Sequence, residues 1–145
     1  MIVWLTGQPG SGKTTIAQEI VRLQRSSEWI IVDGDDIRGI FDNKDYSEQG
    51  RRKNIELAQQ IAYFLHKKGK NVVVSLVSPY KDQRDSFKIK VGENIVEAYI
   101  HTTQTRGREN FHVSNYEPPT EWFVDVSTDN NTPEECAWKI ISYFI

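Results

Sequence analysis

A glycine-rich stretch near the start of the chain carries the residue types that bind nucleotide phosphates. It follows the pattern Gly-x-x-x-x-Gly-Lys-Thr and lies between an apolar run, Ile2 to Thr6, and a segment with helical periodicity. Glycines let successive amide groups point inward, and the positive end of the following helix attracts anions. We predict that a di- or triphosphate binds to this phosphate loop, which consists of Gly7, Gln8, Pro9, Gly10, Ser11, Gly12, Lys13, Thr14 and Thr15.

Two side chains at the end of this loop have defined roles in phosphate chemistry. The ammonium group of Lys13 is expected to contact the β- and γ-phosphates of a nucleoside triphosphate such as ATP. The hydroxyl of Thr14 is expected to coordinate the metal that accompanies those phosphates. Mg²⁺ is therefore the expected cofactor, with ATP as co-substrate.

A group of acids follows the second predicted strand, Trp29 to Val32. It lies at the carboxyl end of a strand, which is the edge where open α/β sheets bind ligands. Asp33 could orient an acceptor hydroxyl and take its proton, and Arg38 offers a forked donor for phosphate or sulfate oxygens. A solvated turn is the alternative for the acids, and ion pairs with Asp35 or Asp36 are the alternative for Arg38.

Two more polar groups precede and follow the third predicted strand, Val72 to Val77. Arg51 and Asn54 are three residues apart in a predicted helix, Ser47 to Lys68, and so share one face. That face could point at the phosphate loop or at water, and the pattern alone favours water. The strand stops at Ser78-Pro79-Tyr80, again at the edge that binds ligands.

The rest of the chain predicts further strands and helices in alternation. The pattern indicates a helix over Tyr80 to Val91, strands over Asn94 to Ile100 and Trp122 to Val126, and a last helix over Glu134 to Phe144. In that helix we expect Trp138, Ile141 and Phe144 to face the core and Cys136 to pack rather than react. The order predicts an α/β domain whose five-stranded parallel sheet has helices on both faces.

Periodicity disappears between His101 and Pro119. A loop of this length in a compact domain is usually functional or disordered. Arg106 and Arg108 could bring positive charge to a transferring phosphoryl group, or they could be solvated loop residues. We assign Arg106 to the ATP site as a working hypothesis.

The composition is that of one globular domain. The chain has 145 residues, of which 38% are hydrophobic and 26% charged. A net charge of −2 argues against a broad nucleic-acid surface. No apolar run is long enough for a membrane span, and the amino terminus enters the first predicted strand without a targeting sequence, so we expect no membrane partner and a cytoplasmic location.

Several stretches together resemble the adenylyl-sulfate kinases, which transfer the γ-phosphoryl group of ATP to the ribose 3′-hydroxyl of adenylyl sulfate. The resemblance covers most of the chain. It rests on the phosphate loop, on Asp33-Gly34-Asp35-Asp36-Ile37-Arg38, on Tyr46-Ser47 with Arg51 and Asn54, on Val77-Ser78-Pro79-Tyr80 with Arg84, and on Phe111 followed by Tyr116-Glu117-Pro118. It implies a P-loop NTPase fold and a single P-loop kinase domain over residues 1–145.

The resemblance also implies roles for individual residues. Lys13 and Asp33 would be catalytic, with Asp33 beside the acceptor hydroxyl, and Phe111 would stack on the adenine of adenylyl sulfate. The substrate pocket would further include Asp35, Asp36, Ile37, Arg38, Tyr46, Arg51, Asn54, Val77, Ser78, Pro79 and Tyr80. The expected partners are the small molecules ATP and adenylyl sulfate, and because related kinases are often dimers, the resemblance allows for a homodimer.

The chain departs from the family in the segment that usually closes over both nucleotides. Only Thr103 to Asn110 precede Phe111, so most of the family's lid is missing, and His112-Val113 follows where the family has Thr-Gly. A shorter lid should exclude water less well. Two alternatives therefore stay open: another small kinase that acts on a nucleotide or a polynucleotide 5′-hydroxyl, and a catalytically weak sensor of nucleotides.

Overall fold

Five parallel strands form the centre of the protein in a computed structural model that describes residues 1–25 and 28–145. The strands are β1 (Ile2–Thr6), β2 (Trp29–Asp33), β3 (Asn71–Ser75), β4 (Ile95–His101) and β5 (Val124–Ser127). Their order across the sheet is β2-β3-β1-β4-β5, and each neighbouring pair is parallel. The strand that leads into the phosphate loop, β1, therefore lies in the middle of the sheet.

Helices cover both faces of this sheet. They are α1 (Lys13–Leu23), α2 (Gly34–Phe41), α3 (Glu48–Lys67), α4 (Lys81–Val91) and α5 (Pro133–Ile141). Alternate residues of β1 pack on opposite faces, because successive side chains of a strand point to opposite sides. Val3 and Leu5 join the apolar cluster that contains α1 and α5, whereas Ile2 and Trp4 join the cluster that contains α3 and α4. The predicted fold class is thus confirmed.

The main difference from the sequence prediction is α2. The acids after β2 begin a short helix, and Asp33 is its N-cap, with Oδ1 accepting a hydrogen bond from the Asp36 amide at 2.9 Å. The alternative of a solvated turn is therefore wrong in geometry, although the side chains of Asp35 and Asp36 are exposed as a turn would leave them. The helix was missed because its eight residues, two of them glycine, are too few to show a clear helical period.

The carboxyl-terminal part corrects two further predictions. Trp138 was expected in the core but is 45% exposed, whereas Ile141 and Cys136 are buried and Phe144 packs against Trp29. Strand β5 begins at Val124 rather than at Trp122, whose φ of 54° lies outside the strand region. Helix α5 begins with a capping box between Thr132 and Glu135.

The loop between β4 and β5 contains one turn of 3₁₀ helix, Glu109–Phe111. In the part of the chain that the structure describes, no helix is both long and apolar enough to cross a membrane.

Candidate active site

The phosphate loop leaves β1 in a conformation that depends on glycine at two positions. A Cβ atom added to Gly7 would lie 2.1 Å from the carbonyl oxygen of Ile100, so only glycine fits beside β4. Gly12 has a φ of 108° and is the N-cap of α1. This left-handed conformation is strained for residues with a side chain and turns the chain directly into the helix. The loop thereby places the amino end of α1 near the carboxyl end of β1.

Lys13 is folded back onto the loop that precedes it. Its ammonium group donates to the carbonyl oxygens of Gly7 at 2.8 Å and of Gln8 at 2.9 Å. Burial, together with the nearby charge of Arg108, lowers the pKa of Lys13 to about 7. A phosphate in the loop would favour the charged ammonium, because an opposite charge stabilises that form. The structure thus places Lys13 where the sequence predicted a contact with phosphate.

Thr14 and Thr15 follow in the first turn of α1, and both are exposed. No group of three or more His, Cys, Asp or Glu side chains that could hold a metal occurs among residues 1–25 and 28–145. Mg²⁺ suits this arrangement because it usually keeps several waters and binds phosphates with only one or two protein ligands. The hydroxyl of Thr14 is available as one such ligand.

Two arginines of the segment after β4 lie against the phosphate loop. Arg106 donates from Nη1 to the carbonyl oxygen of Ser11 at 3.3 Å, and a Cβ atom added to Gly10 would lie 2.9 Å from Cβ of Arg108. Both side chains are nevertheless largely exposed. The structure therefore brings both cations to the loop and leaves their guanidinium groups accessible to an anion.

The residues predicted for the acceptor lie beyond the end of β2. Asp33 is half-buried, and its second carboxylate oxygen, Oδ2, makes no hydrogen bond within residues 1–25 and 28–145. Ile37 is buried in the core, so its side chain is not available to a ligand. Arg38 forms no ion pair with Asp35 or Asp36 in the described chain, which removes the alternative considered from the sequence.

Arg38 instead organises the chain between α2 and α3. It donates from Nη1 to the carbonyl oxygens of Asn43 at 3.0 Å and Asp45 at 3.1 Å. Its guanidinium carbon lies 3.9 Å from the ring centre of Tyr46, which is 63% exposed. This stacked pair leaves donor groups of Arg38 beside an exposed aromatic ring.

Helix α3 contributes two more predicted residues to the same region. Asn54 is buried and donates from Nδ2 to the carbonyl oxygen of Gly34 at 3.3 Å, whereas its Oδ1 has no hydrogen-bond partner in the described chain. Arg51 is half-buried, and its guanidinium forms no ion pair or hydrogen bond with the described residues. In the part of the chain that the structure describes, the Asn54 oxygen and the Arg51 guanidinium are therefore both without a protein partner at this end of α3.

The turn after β3 also contributes residues that were predicted for the acceptor site. Ser78 is buried with a φ of 47°, a conformation that is uncommon outside glycine, and its hydroxyl has no hydrogen-bond partner in the described chain. The carbonyl oxygen of Val77 accepts hydrogen bonds from the Gly7 amide and from Thr6 Oγ1. Pro79 and Tyr80 are buried, and the guanidinium of Arg52 stacks over the Tyr80 ring at 4.1 Å.

A buried arginine that the sequence analysis did not assign to the site supports this turn. Arg84 is 2% exposed; it pairs with Glu97 at 2.8 Å and donates to the carbonyl oxygen of Ser78 at 2.6 Å. Lys88 also contacts Glu97, and Arg84 contacts the carbonyl oxygen of Glu117. The available sequence signal was Glu97 itself, because a carboxylate inside an otherwise apolar strand needs a cationic partner.

Phe111, the predicted stacking residue, is 64% exposed at the end of the short 3₁₀ turn. The guanidinium carbon of Arg108 lies 5.3 Å from its ring centre. The ring is therefore outside the core and free to contact a base.

The strand order explains how these groups share one site. The phosphate loop follows β1, Asp33 ends β2, and β3 with its Ser78 turn lies between them. Neighbouring strands are roughly 4.8 Å apart, so Asp33 lies about 10 Å across the sheet from the end of β1. A parallel sheet with a phosphate loop after its central strand and an acid at the end of the next strand but one is typical of a P-loop kinase.

Comparison with known sequences identifies the family within this class. The family model described as adenylylsulphate kinase matches residues 1–120. The adenylyl-sulfate kinase of Pseudomonas aeruginosa is 30% identical over 98% of this chain and 84% of its own length. The corresponding enzyme of Clostridium kluyveri is 27% identical over 99% of this chain and 82% of its own. The chain belongs to the adenylyl-sulfate kinase family, and the predicted resemblance is confirmed.

Solved structures support the same fold. The Mycobacterium tuberculosis APS kinase CysC, solved in complex with AMPPNP and APS, superimposes with a TM-score of 0.83 over 98% of this chain and 95% of that one, at 23% identity. A gluconokinase from Sinorhizobium meliloti superimposes with a TM-score of 0.65 at 16% identity. These two likenesses show the fold, and the family match shows that the chain is a kinase that transfers phosphate to a hydroxyl group.

Proposed function

We propose that this protein transfers the γ-phosphoryl group of ATP to the ribose 3′-hydroxyl of adenylyl sulfate and so forms 3′-phosphoadenylyl sulfate and ADP. The observation that carries the proposal is the family match combined with the position of the acceptor residues. The match includes β2, α3 and the Ser78 turn, and these elements lie at the same sheet edge as the phosphate loop. On this proposal the whole chain, residues 1–145, acts as one P-loop kinase domain.

The donor side binds the triphosphate and neutralises its charge. The amides of the phosphate loop would hold the β-phosphate, and Lys13 would exchange its contacts with Gly7 and Gln8 for oxygens of the β- and γ-phosphates. Thr14 would hold Mg²⁺, which would supply positive charge that neutralises the phosphates. Arg106 or Arg108, which lie against the phosphate loop, would stabilise the charge on the transferring group.

The acceptor side orients the hydroxyl. Asp33 keeps Oδ1 in the cap of α2, and Oδ2 would accept the proton of the 3′-hydroxyl as its oxygen bonds to the γ-phosphorus. The bond from the γ-phosphorus to the bridging oxygen breaks, and ADP leaves with the electron pair. The same Asp33 therefore serves the fold through one oxygen and the reaction through the other.

The remaining pocket residues would bind the rest of adenylyl sulfate. Arg38 and Arg51 offer forked donors for the phosphate and sulfate oxygens, and Asn54 offers a buried acceptor, its Oδ1, without a protein partner. The exposed ring of Phe111 would stack on the adenine. Asp35, Asp36, Tyr46, Val77, Ser78, Pro79 and Tyr80 would line the pocket between them.

A panel of phosphoryl acceptors tests this proposal. ADP release is measured with ATP and Mg²⁺ in the presence of adenylyl sulfate, AMP, other nucleosides or a 5′-hydroxyl oligonucleotide. We expect adenylyl sulfate to give the highest kcat/KM, and Lys13→Ala to lose at least about a hundredfold in kcat because the transferring group loses its cation. A higher kcat/KM for another acceptor would contradict the proposed substrate. Tight binding of ATP and adenylyl sulfate without transfer would show a nucleotide sensor instead.

A further inference from the structure

Residues 102–119 form most of the chain between β4 and β5, and we call them the lid segment. This segment contacts the phosphate loop at several points. Arg106 donates to the carbonyl oxygen of Ser11, and Arg108 lies against Gly10. The third contact differs in kind from these arginine contacts. It joins the side chain of Gln8, inside the phosphate loop, to the backbone of Val113 in the lid segment.

The pairing of Gln8 with Val113 is reciprocal. Gln8 Nε2 donates to the carbonyl oxygen of Val113 at 2.8 Å, and the amide of Val113 donates to Gln8 Oε1 at 2.8 Å. One carboxamide thus satisfies both backbone groups of a residue whose own side chain is only 8% exposed. An amide side chain can make this pairing because it carries a donor and an acceptor side by side. We call this contact the Gln8 latch.

The latch lies between the two substrate regions. On the donor side, the backbone carbonyl of Gln8 accepts a hydrogen bond from Lys13. On the acceptor side, Val113 follows Phe111 by two residues, and Tyr116 then bonds to Thr6 Oγ1 at 2.7 Å. The amide of Glu117 finally donates to the carbonyl oxygen of Pro79, in the turn after β3. The latch therefore fixes the middle of a segment whose far end is tied to the acceptor turn.

We propose that Gln8 is a positioning residue for the acceptor: its side chain holds the lid segment so that Phe111 faces the acceptor nucleotide. This inference rests on the proposed function, because it assigns Phe111 to the acceptor base. This role is unexpected for the side chain of a phosphate-loop residue. The phosphates are bound by the backbone of the loop, so the Gln8 side chain serves the other substrate.

The two substrates should therefore respond differently when the latch is removed. Gln8→Met keeps a side chain of similar length and loses both hydrogen bonds with Val113. The loss of two neutral hydrogen bonds should raise the KM for adenylyl sulfate by about tenfold. The KM for ATP should change by less than about twofold, because the loop backbone and Lys13 are untouched.

The experiment compares wild-type protein with Gln8→Met and with the matched control Gln60→Met. Gln60 is an exposed residue of α3 whose only side-chain hydrogen bond in the described chain goes to Glu56, within the same helix. Each KM is measured with the other substrate saturating. In parallel, amide hydrogen exchange is measured on each protein without nucleotide, and peptides that contain Val113 report whether the lid segment has been released.

The inference predicts that only Gln8→Met speeds exchange at Val113 and raises the KM for adenylyl sulfate while leaving the KM for ATP nearly unchanged. Unchanged exchange at Val113, or a KM for ATP that rises as much as that for the acceptor, would overturn it. If wild-type protein does not phosphorylate adenylyl sulfate, the proposed function fails. The exchange data and the KM for whichever acceptor the panel identifies then still decide whether Gln8 positions the lid segment.

Discussion

Lys13 links the charge of the phosphate loop to pH. Its pKa is lowered to about 7, mainly by burial. A bound triphosphate favours the charged ammonium and so raises this pKa, which means that ATP binding takes up a proton when the free amine is neutral. We expect ATP affinity, measured by calorimetry, to fall by up to about tenfold per pH unit above pH 7.

Lys13→Arg provides the control for this dependence, because a guanidinium stays charged over the whole range. ATP affinity in this variant should be weaker, since the longer side chain disturbs the fit, and it should be nearly independent of pH between about pH 7 and pH 9. A wild-type affinity that is equally flat would contradict the assignment of a low pKa to Lys13.

The two roles of Asp33 can be separated by one substitution. Asparagine caps helices about as well as aspartate, so Asp33→Asn should keep α2 and change the melting temperature little. Its amide cannot take the proton of the acceptor hydroxyl, and we expect kcat to fall by about a hundredfold or more. Asp42→Asn, an exposed change at the other end of α2, should leave kcat unchanged. An unaltered kcat in Asp33→Asn would reduce Asp33 to a helix cap.

Single residues show where sequence reasoning was sufficient and where it stopped. The position of Lys13 at the phosphate loop could be predicted, because the motif fixes its own backbone geometry, whereas the roles of Lys13 and Arg106 stay predictions. The pairing of Gln8 with Val113 could not be predicted, because it joins residues 105 apart in a loop without periodicity. The lack of a partner for Asn54 Oδ1 among the described residues could not be predicted either, because it depends on how α3 packs against Gly34.

At the scale of elements, α4 and β4 are joined by buried charges that support the acceptor turn. Glu97 is 2% exposed and contacts both Arg84 and Lys88. Glu97→Gln would leave the buried Arg84 without its counter-charge, and we expect the free energy of unfolding to fall by about 3 to 5 kcal/mol. Urea denaturation measures this change.

The exposed pair between Arg52 and Asp82 is the matched comparison for this prediction. Asp82→Asn breaks an ion pair of similar length at the surface and should lower the free energy of unfolding by less than about 1 kcal/mol. Equal, small losses in both variants would show that the Arg84 network contributes little to the fold.

Elements with a strong hydrophobic period were predicted well, whereas the short helix α2 was missed and the start of β5 was misplaced. The continuous apolar run of β3 and the long amphipathic α3 appear in the structure close to their predicted positions. Helix α2 was missed because the aspartate at its start was interpreted only for its chemistry. Strand β5 was placed too early, because Trp122 looked like part of an aromatic strand but is 89% exposed in a left-handed turn.

At the scale of the whole molecule, alternating strands and helices were enough to predict a parallel sheet with both faces covered. They did not specify the strand order, which depends on where each crossover returns to the sheet. The observed order places β3 between β1 and β2, and this position is what sets the phosphate loop and Asp33 about two strand spacings apart. We propose that two nucleotides meet across this gap, whose width the strand order sets.

The position of the transferred phosphate tests that claim most directly. The protein is incubated with ATP, Mg²⁺ and adenylyl sulfate, and ³¹P and ¹H NMR spectra of the product locate the new phosphomonoester. The account predicts a single product with phosphate on the ribose 3′-oxygen and one ADP formed for each product molecule. Phosphate on another oxygen, or ATP hydrolysis without transfer, would contradict it.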